Sequence, residues 1–278
     1  MSFIAIILNF FIEHHNIFKS GKKWFSRLIY SYAQLFMQKE FTTVRQIRVT
    51  FILAMIPFAI VIGLMQFLHL INHLSWIYMI INGILFIFVV DMLGWKEEAK
   101  ETNRNKDYQN FVQSYATNFF ATTLWFILLP SILGSICYLA LTAMANILRR
   151  KSINSMIYAD VIDKMLFWIN VLPYTILFIF IAIAGDFEAV MHQILAQKSK
   201  VKVSYFYLEN LLNEIVYVAI GKDKFQMRKP KFNDDGFEAI ERHSSYDPQV
   251  IDYIVALLYR TGVFFIASII CISIADLL

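Results

Sequence analysis

Residues 119–147 read FFATTLWFILLPSILGSICYLALTAMANI, an apolar run without a single acidic or basic side chain. At 1.5 Å per residue a straight helix of that length would exceed a hydrocarbon layer of about 30 Å. Pro130 and Gly134 sit near its centre, and Arg149, Arg150 and Lys151 follow it. The segment is therefore expected to tilt, kink or re-enter, and a single crossing is the favoured expectation.

Similar blocks lie on either side. Residues 49–71 form an apolar block containing Pro57 and Gly63, which membrane helices tolerate. Residues 76–94 return after a short turn, with Trp76, Tyr78 and Trp95 near the two ends, where aromatic belts sit. Residues 165–185 carry Pro173 and stop at Asp186 and Glu188, and residues 253–274 form the last block. These five stretches are read as spans. Ahead of them, Phe3–Ile12 forms a short apolar helix, too short for the roughly 20 residues a span requires. Between Lys19 and Arg48, Trp24, Leu28, Tyr32, Leu35 and Phe36 recur at helical spacing opposite Lys23, Arg27 and Gln34. That pattern suits an interfacial amphipathic helix or one packed on the spans.

Composition agrees. The chain is 58% hydrophobic and only 17% charged, against about 25% charged for a soluble domain, and its mean hydropathy is +0.56. The expected fold is all-α, a polytopic integral membrane protein with residues 1–278 as one membrane domain. A polar segment at 186–252 contains one periodic stretch, Tyr205–Ile220. The formal charge of +4 would suit nucleic acid only if the cations shared a face. They gather instead beside the apolar blocks, where they meet lipid headgroups, so the expected partner is the bilayer and not nucleic acid. Basic residues from Lys19 to Arg48 point to the cytoplasm. Cys137 and Cys271 both lie in apolar blocks without a CxxC pair and are expected to be buried thiols.

Candidate sites are sparse. Asn103, Arg104, Asn105 and Asp107 concentrate hydrogen-bonding and charged groups directly before a span, as a headgroup-binding loop or a solvated connector would. Asp91 is an ionisable group near hydrocarbon, to be explained by snorkelling or by function. Asn118, Asp163 and Asn170, with Asn146, place polar groups in or beside the spans, where a carboxamide needs a partner. His69 and His73 share a helix face at i, i+4, but a third ligand is missing nearby, so no metal and no cofactor is expected.

Several stretches carry a resemblance to the AmpE / CobD-CbiB family of membrane proteins. Phe11-Ile12-Glu13 through Trp24 resembles the family's apolar start, acidic stop and basic helix, and Asn103 to Asp107 is similar to its Ser-Arg-Asp stretch. Leu124-Trp125-Phe126, Pro130, Gly134 and Tyr138 resemble its Pro-Leu-Phe-Trp, Gly and Tyr pattern, and Asp163, Asn170 and Pro173 its Asp, Asn and Pro spacing. Where the CobD-CbiB branch has Tyr-Arg followed by Asn-Thr-Leu-Asp, this chain reads Tyr138-Leu139-Ala140-Leu141-Thr142-Ala143-Met144-Ala145. A ligase for a large charged substrate would need those polar groups. The resemblance therefore implies the AmpE-like branch: a bacterial inner-membrane accessory protein in signalling linked to β-lactamase induction and cell-wall recycling, with a membrane or cell-wall recycling protein as partner. Whether the chain is an enzyme stays open, with a non-enzymatic role the favoured expectation. Membrane-bound cobinamide-phosphate synthase chemistry and lipid binding or transport are the alternatives.

Overall fold

The computed structural model describes residues 19–37, 41, 43–70, 75–91, 108–129, 132–151, 156–197, 203–221 and 248–275, and among them every regular element is a helix. In chain order these are α1 (Lys19–Met37), α2 (Val44–Leu70), α3 (Ser75–Val89) and α4 (Tyr108–Ser114). A π-helix (Tyr115–Ala121) and α5 (Thr122–Leu128) continue α4 without a break. Then follow α6 (Leu133–Lys151), α7 (Met156–Ala184), α8 (Phe187–Gln197), α9 (Tyr205–Ile220) and α10 (Pro248–Ala275).

Three helices are long and apolar enough to cross a membrane, through Val44–Val61 of α2, Asp160–Ala184 of α7 and Val250–Ile272 of α10. Their outer faces would be untenable in water. Ile52, Leu53, Ile60 and Leu64 of α2 are between 51% and 65% exposed, and each such side chain in water forgoes about 1.5–3 kcal/mol of burial. Lipid tails remove that cost. The chain is a helical membrane protein. Of the five expected spans, three meet these criteria among the described residues; within the stretch expected at 76–94 the helix α3 ends at Val89, and the short helix expected at Phe3–Ile12 lies outside the described residues.

The long run does not cross once. Residues 108–128 run one way and α6 runs back, because the chain reverses between Leu128 and Leu133. Across the reversal the Ser135 hydroxyl donates to the Thr122 carbonyl at 2.7 Å. Gly134 permits this approach: a Cβ there would lie 2.7 Å from the Trp125 carbonyl oxygen and 2.7 Å from Leu129 Cβ. The single crossing gives way to a reversal because close packing at Gly134 and the Ser135–Thr122 bond hold the two arms side by side there.

The amphipathic α1 takes the second of the two placements its pattern allowed and packs along α6; the face it buries carries Ile29, Ala33 and Met37, while Trp24, Leu28 and Leu35 of the periodic stripe stay exposed. One further expectation changes. Cys271 is exposed on α10 and Cys137 is half-buried, so neither thiol belongs to the interior.

The stretch 205–220, read as part of a polar segment, lies against α7. The Phe206 amide donates to Asp163 Oδ1 at 3.1 Å near the start of α7, and the Asp186 amide beyond its end donates to the Ala219 carbonyl at 3.0 Å. Like ends pair with like ends, so α9 runs parallel to α7, and α8 is the return between them. Gly185 allows this junction, since a Cβ there would meet the Ala219 oxygen at 2.6 Å. Gly221 at φ +96° ends α9 in the left-handed region that favours glycine. An aromatic cluster closes the bundle: Phe265 of α10 lies tilted over Phe120 of the π-helix at 4.3 Å and meets Phe180 of α7 edge-to-face at 5.4 Å.

Candidate functional site

The hairpin arms meet near the reversal, where α5 packs on α6. Towards their far ends a cavity of about 520 Å³ occupies the fork. One wall is a polar stripe on α4 and the π-helix, Asn110, Gln113, Ser114, Thr117 and Asn118, whose spacing of three and four residues keeps it on one face. The facing wall is Thr142, Asn146 and Arg149 of α6. Leu166 of α7 and Tyr205 of α9 complete it.

The π-helix shapes the first wall. Widened turns of this kind are rare and concentrate at functional sites. Here Thr122 Oγ1 donates to the Thr117 carbonyl five residues back at 2.7 Å. The Asn118 carboxamide donates to Ser114 Oγ at 3.0 Å, which orients it on the cavity face.

Behind the cavity runs a hydrogen-bonded network. Gln113 Nε2 donates to Glu209 Oε1 and lies 3.4 Å from the Tyr205 hydroxyl. The Tyr205 and Tyr174 hydroxyls are 3.3 Å apart. Arg149 pairs with Glu209 at 3.6 Å, its side chain 44% exposed and that of Glu209 14%. Burial raises the Glu209 carboxyl above its ordinary range, against the pull of Arg149. Burial, reinforced by the Glu209 carboxylate, pushes the Tyr205 phenol up to about 12. Tyr205 is thus a neutral hydroxyl at any physiological pH, able to donate and accept.

The sequence candidates fall into three groups. Asn118 lines the cavity, and Asn146, noted beside it, stands opposite. Asn170 is fully buried, accepting from the Tyr138 hydroxyl at 2.7 Å and donating to the Leu166 carbonyl at 2.8 Å; it ties α6 to α7. Asp163 supports the first turn of α9 through Phe206, while Ser204 caps the same helix by accepting from the Tyr207 amide. Both Asp163 and Asn170 are positioning residues in the fold and neither lines the cavity.

Asp91 lies past the end of α3, its amide donating to the Asn118 carbonyl at 3.4 Å. Beside it Lys22 of α1 donates to the Val90 carbonyl at 2.8 Å. Burial holds the Lys22 ammonium down to about 8, with Asp91 pulling it upwards. Asp91 therefore faces a cation contributed by α1, a pairing that nothing in the local sequence signals. Asn103, Arg104, Asn105, Asp107 and His73 lie outside the described residues, as does the side chain of His69. Among the described residues no cluster of His, Cys, Asp and Glu could hold a metal.

Sequence reading missed Gln113, Tyr205 and Glu209. The polar stripe from Asn110 to Asn118 at helical spacing was the available signal for Gln113; Glu209 lay in a segment read as polar. No family model, curated protein or solved structure matches this chain. The fold and cavity define a class: a helical membrane protein with a polar pocket between antiparallel arms.

Proposed function

We propose that this chain is a bacterial inner-membrane accessory protein of the AmpE type, which binds a small ligand in the hairpin cavity and conveys its presence to a membrane or cell-wall recycling partner in signalling linked to the β-lactam response. The observation that carries ligand binding is the cavity itself. At about 520 Å³ it falls in the roughly 300–1,000 Å³ range of small-molecule sites. Its polar groups converge from both arms of the hairpin, and Asn118 and Asn146 remain exposed on facing walls, where a ligand can reach them.

The AmpE-type reading draws support from where the resembling residues lie. Tyr138 and Asn170 belong to separate stretches of the resemblance, and they share one buried hydrogen bond. Gly134 stands at the reversal that forms the hairpin. An inner membrane is favoured because outer-membrane proteins of bacteria span as β-barrels, whereas this chain offers apolar helices. On this reading α3 and the two hairpin arms accompany the three long helices in the bilayer, giving a multi-pass protein of six crossings.

The test is β-lactamase induction in a strain deleted for this gene and complemented with the wild type or with Asn146→Leu. Altered induction, restored by the wild type and not by the cavity variant, is expected. An unchanged response in the deletion strain removes the regulatory role.

A further inference from the structure

We infer that the outer face of α10 docks a membrane helix of another protein, one that carries an aspartate or glutamate near the bilayer midplane to pair with Arg260. The inference rests on α10 as a span and is independent of the hairpin cavity and its ligand.

Arg260 lies ten residues from one end of the apolar stretch Val250–Ile272 and twelve from the other, about 15 Å and 18 Å along the axis at 1.5 Å per residue. Snorkelling serves cations near helix ends, and from this depth it falls short of both headgroup layers. The side chain is exposed, and its Nε donates to the Ala256 carbonyl one turn earlier at 3.3 Å. The other donors of the guanidinium meet no acidic side chain among the described residues. Asp252, exposed in the same i, i+4 row, stands two turns away, about 12 Å along the axis. Ionisable groups inside a bilayer face a bundle interior, a wet cavity or an opposite charge. Arg260 instead lies between exposed Val263 and Phe264 on one side and exposed Ala256 on the other, so the opposite charge comes from another chain.

The shape of the face suits a helix. Ala256, Ala267 and Cys271 are exposed at positions four before, seven after and eleven after Arg260, spacings that keep all four in one stripe. Small side chains of this kind let two helix backbones approach closely within a membrane, and Val263 and Phe264 add apolar area beside the stripe.

Charge selects the occupant. A second copy inserted the same way up would bring its own Arg260 to the same depth, where like charges repel, and its Asp252 would again stand about 12 Å off along the axis. A lipid phosphate lies in the headgroup layer, about half of the 30 Å hydrocarbon thickness away. A carboxylate on a foreign helix meets the guanidinium at its own depth, with two parallel hydrogen bonds available to it.

The experiment reconstitutes the full chain, fused to a fluorescent protein, in phosphatidylcholine vesicles with a dye-labelled helix of leucine and alanine that carries a single aspartate at its centre. Energy transfer is compared with that to the same helix carrying leucine or lysine there. The aspartate helix should associate at least about tenfold more tightly than the leucine helix, and the lysine helix no more tightly than leucine. Arg260→Leu should remove the preference. Arg260→Glu should exchange it for the lysine helix, a gain that a misfolded chain would not show. Equal association of the three helices, a preference that survives Arg260→Leu, or no exchange in Arg260→Glu overturns the inference. So does energy transfer between two differently labelled copies of the chain that Arg260→Leu abolishes, which assigns the face to a second copy. Loss of the aspartate preference when phosphatidylglycerol is added assigns the cation to a lipid headgroup and overturns it too. None of these readings depends on β-lactamase induction, so failure of the accessory role and failure of this docking face are separate results.

Discussion

The Tyr138 hydroxyl donates to Asn170 Oδ1 across 2.7 Å, a buried bond that clamps the returning arm of the hairpin to α7. α7 also carries α9 along its length, and Asn170 bonds the carbonyl of Leu166, which lines the cavity. Hydrogen bonds between membrane helices average about 0.6 kcal/mol and reach about 1.7, so the clamp is modest in energy and specific in geometry.

Tyr138→Phe should lower stability by an amount in that range, since Asn170 keeps its bond to the Leu166 carbonyl. Asn170→Leu should cost more, about 1–3 kcal/mol, by stranding a buried phenol. The double variant should fall short of the sum of the singles when melting is followed in detergent micelles. Strict additivity would mean that the two residues are not coupled.

The hairpin makes a topological prediction. In a chain with Cys137 and Cys271 replaced by Ser, Ser114→Cys and Asn146→Cys should both react with a membrane-impermeant thiol reagent applied to the same face. Labelling from opposite faces would restore the single crossing.

Two glycines should respond oppositely to alanine. A Cβ at Gly134 would press on the Trp125 carbonyl and on Leu129 at 2.7 Å, so Gly134→Ala should force the arms apart and cost about 1–3 kcal/mol. Gly63 has nothing within 4 Å of its Cβ position and lies inside α2, so Gly63→Ala should stabilise by about 0.5–1 kcal/mol. Melting temperatures of the two variants in one detergent decide the matter.

The buried Glu209 gives stability a pH dependence. Below the ordinary glutamate value of about 4.3 the carboxyl is neutral in the folded and unfolded states alike, and its contribution is fully present. Because burial raises the folded value, the folded state holds more protons as pH climbs, and that contribution is lost as pH passes through the raised value. Glu209→Gln, which retains an acceptor for Gln113, should therefore gain on the wild type as pH rises across this window. Denaturation curves at a series of pH values above 4 should show the difference growing; a difference that shrinks reverses the assignment.

Arg260 is exposed near the middle of the apolar stretch of α10, its Nε donating to the Ala256 carbonyl at 3.3 Å. A charge at the centre of a span disfavours insertion by about 2.5–3.5 kcal/mol. Arg260→Leu should increase the inserted fraction of this helix in a translocon insertion assay, and a decrease would show that the cation is needed for placement.

Much of the site could be glimpsed in the sequence one residue at a time. Asn118 and Asn146 stood out as polar groups beside an apolar run, and Thr142, Asn146 and Arg149 recur at helical spacing. What could not be read is that these stripes face each other. Periodicity describes one helix at a time and is silent on the direction of the next, so 119–147 looked the same whether it crossed or doubled back. Glu209 was harder still, because its partners Arg149 and Gln113 lie far away in the chain and meet it only after α9 folds along α7.

Composition and blockwise hydropathy by themselves determined that this is a helical protein of the bilayer, because apolar side chains in such numbers must leave water and a backbone in lipid must satisfy its own hydrogen bonds. Only the tertiary structure decided that the longest block is a hairpin, that α9 joins the bundle, and that neutral polar groups from three separate helical stretches line one cavity. Those outcomes depend on close contacts at Gly134 and Gly185 and on bonds between residues distant in sequence, which local pattern does not encode.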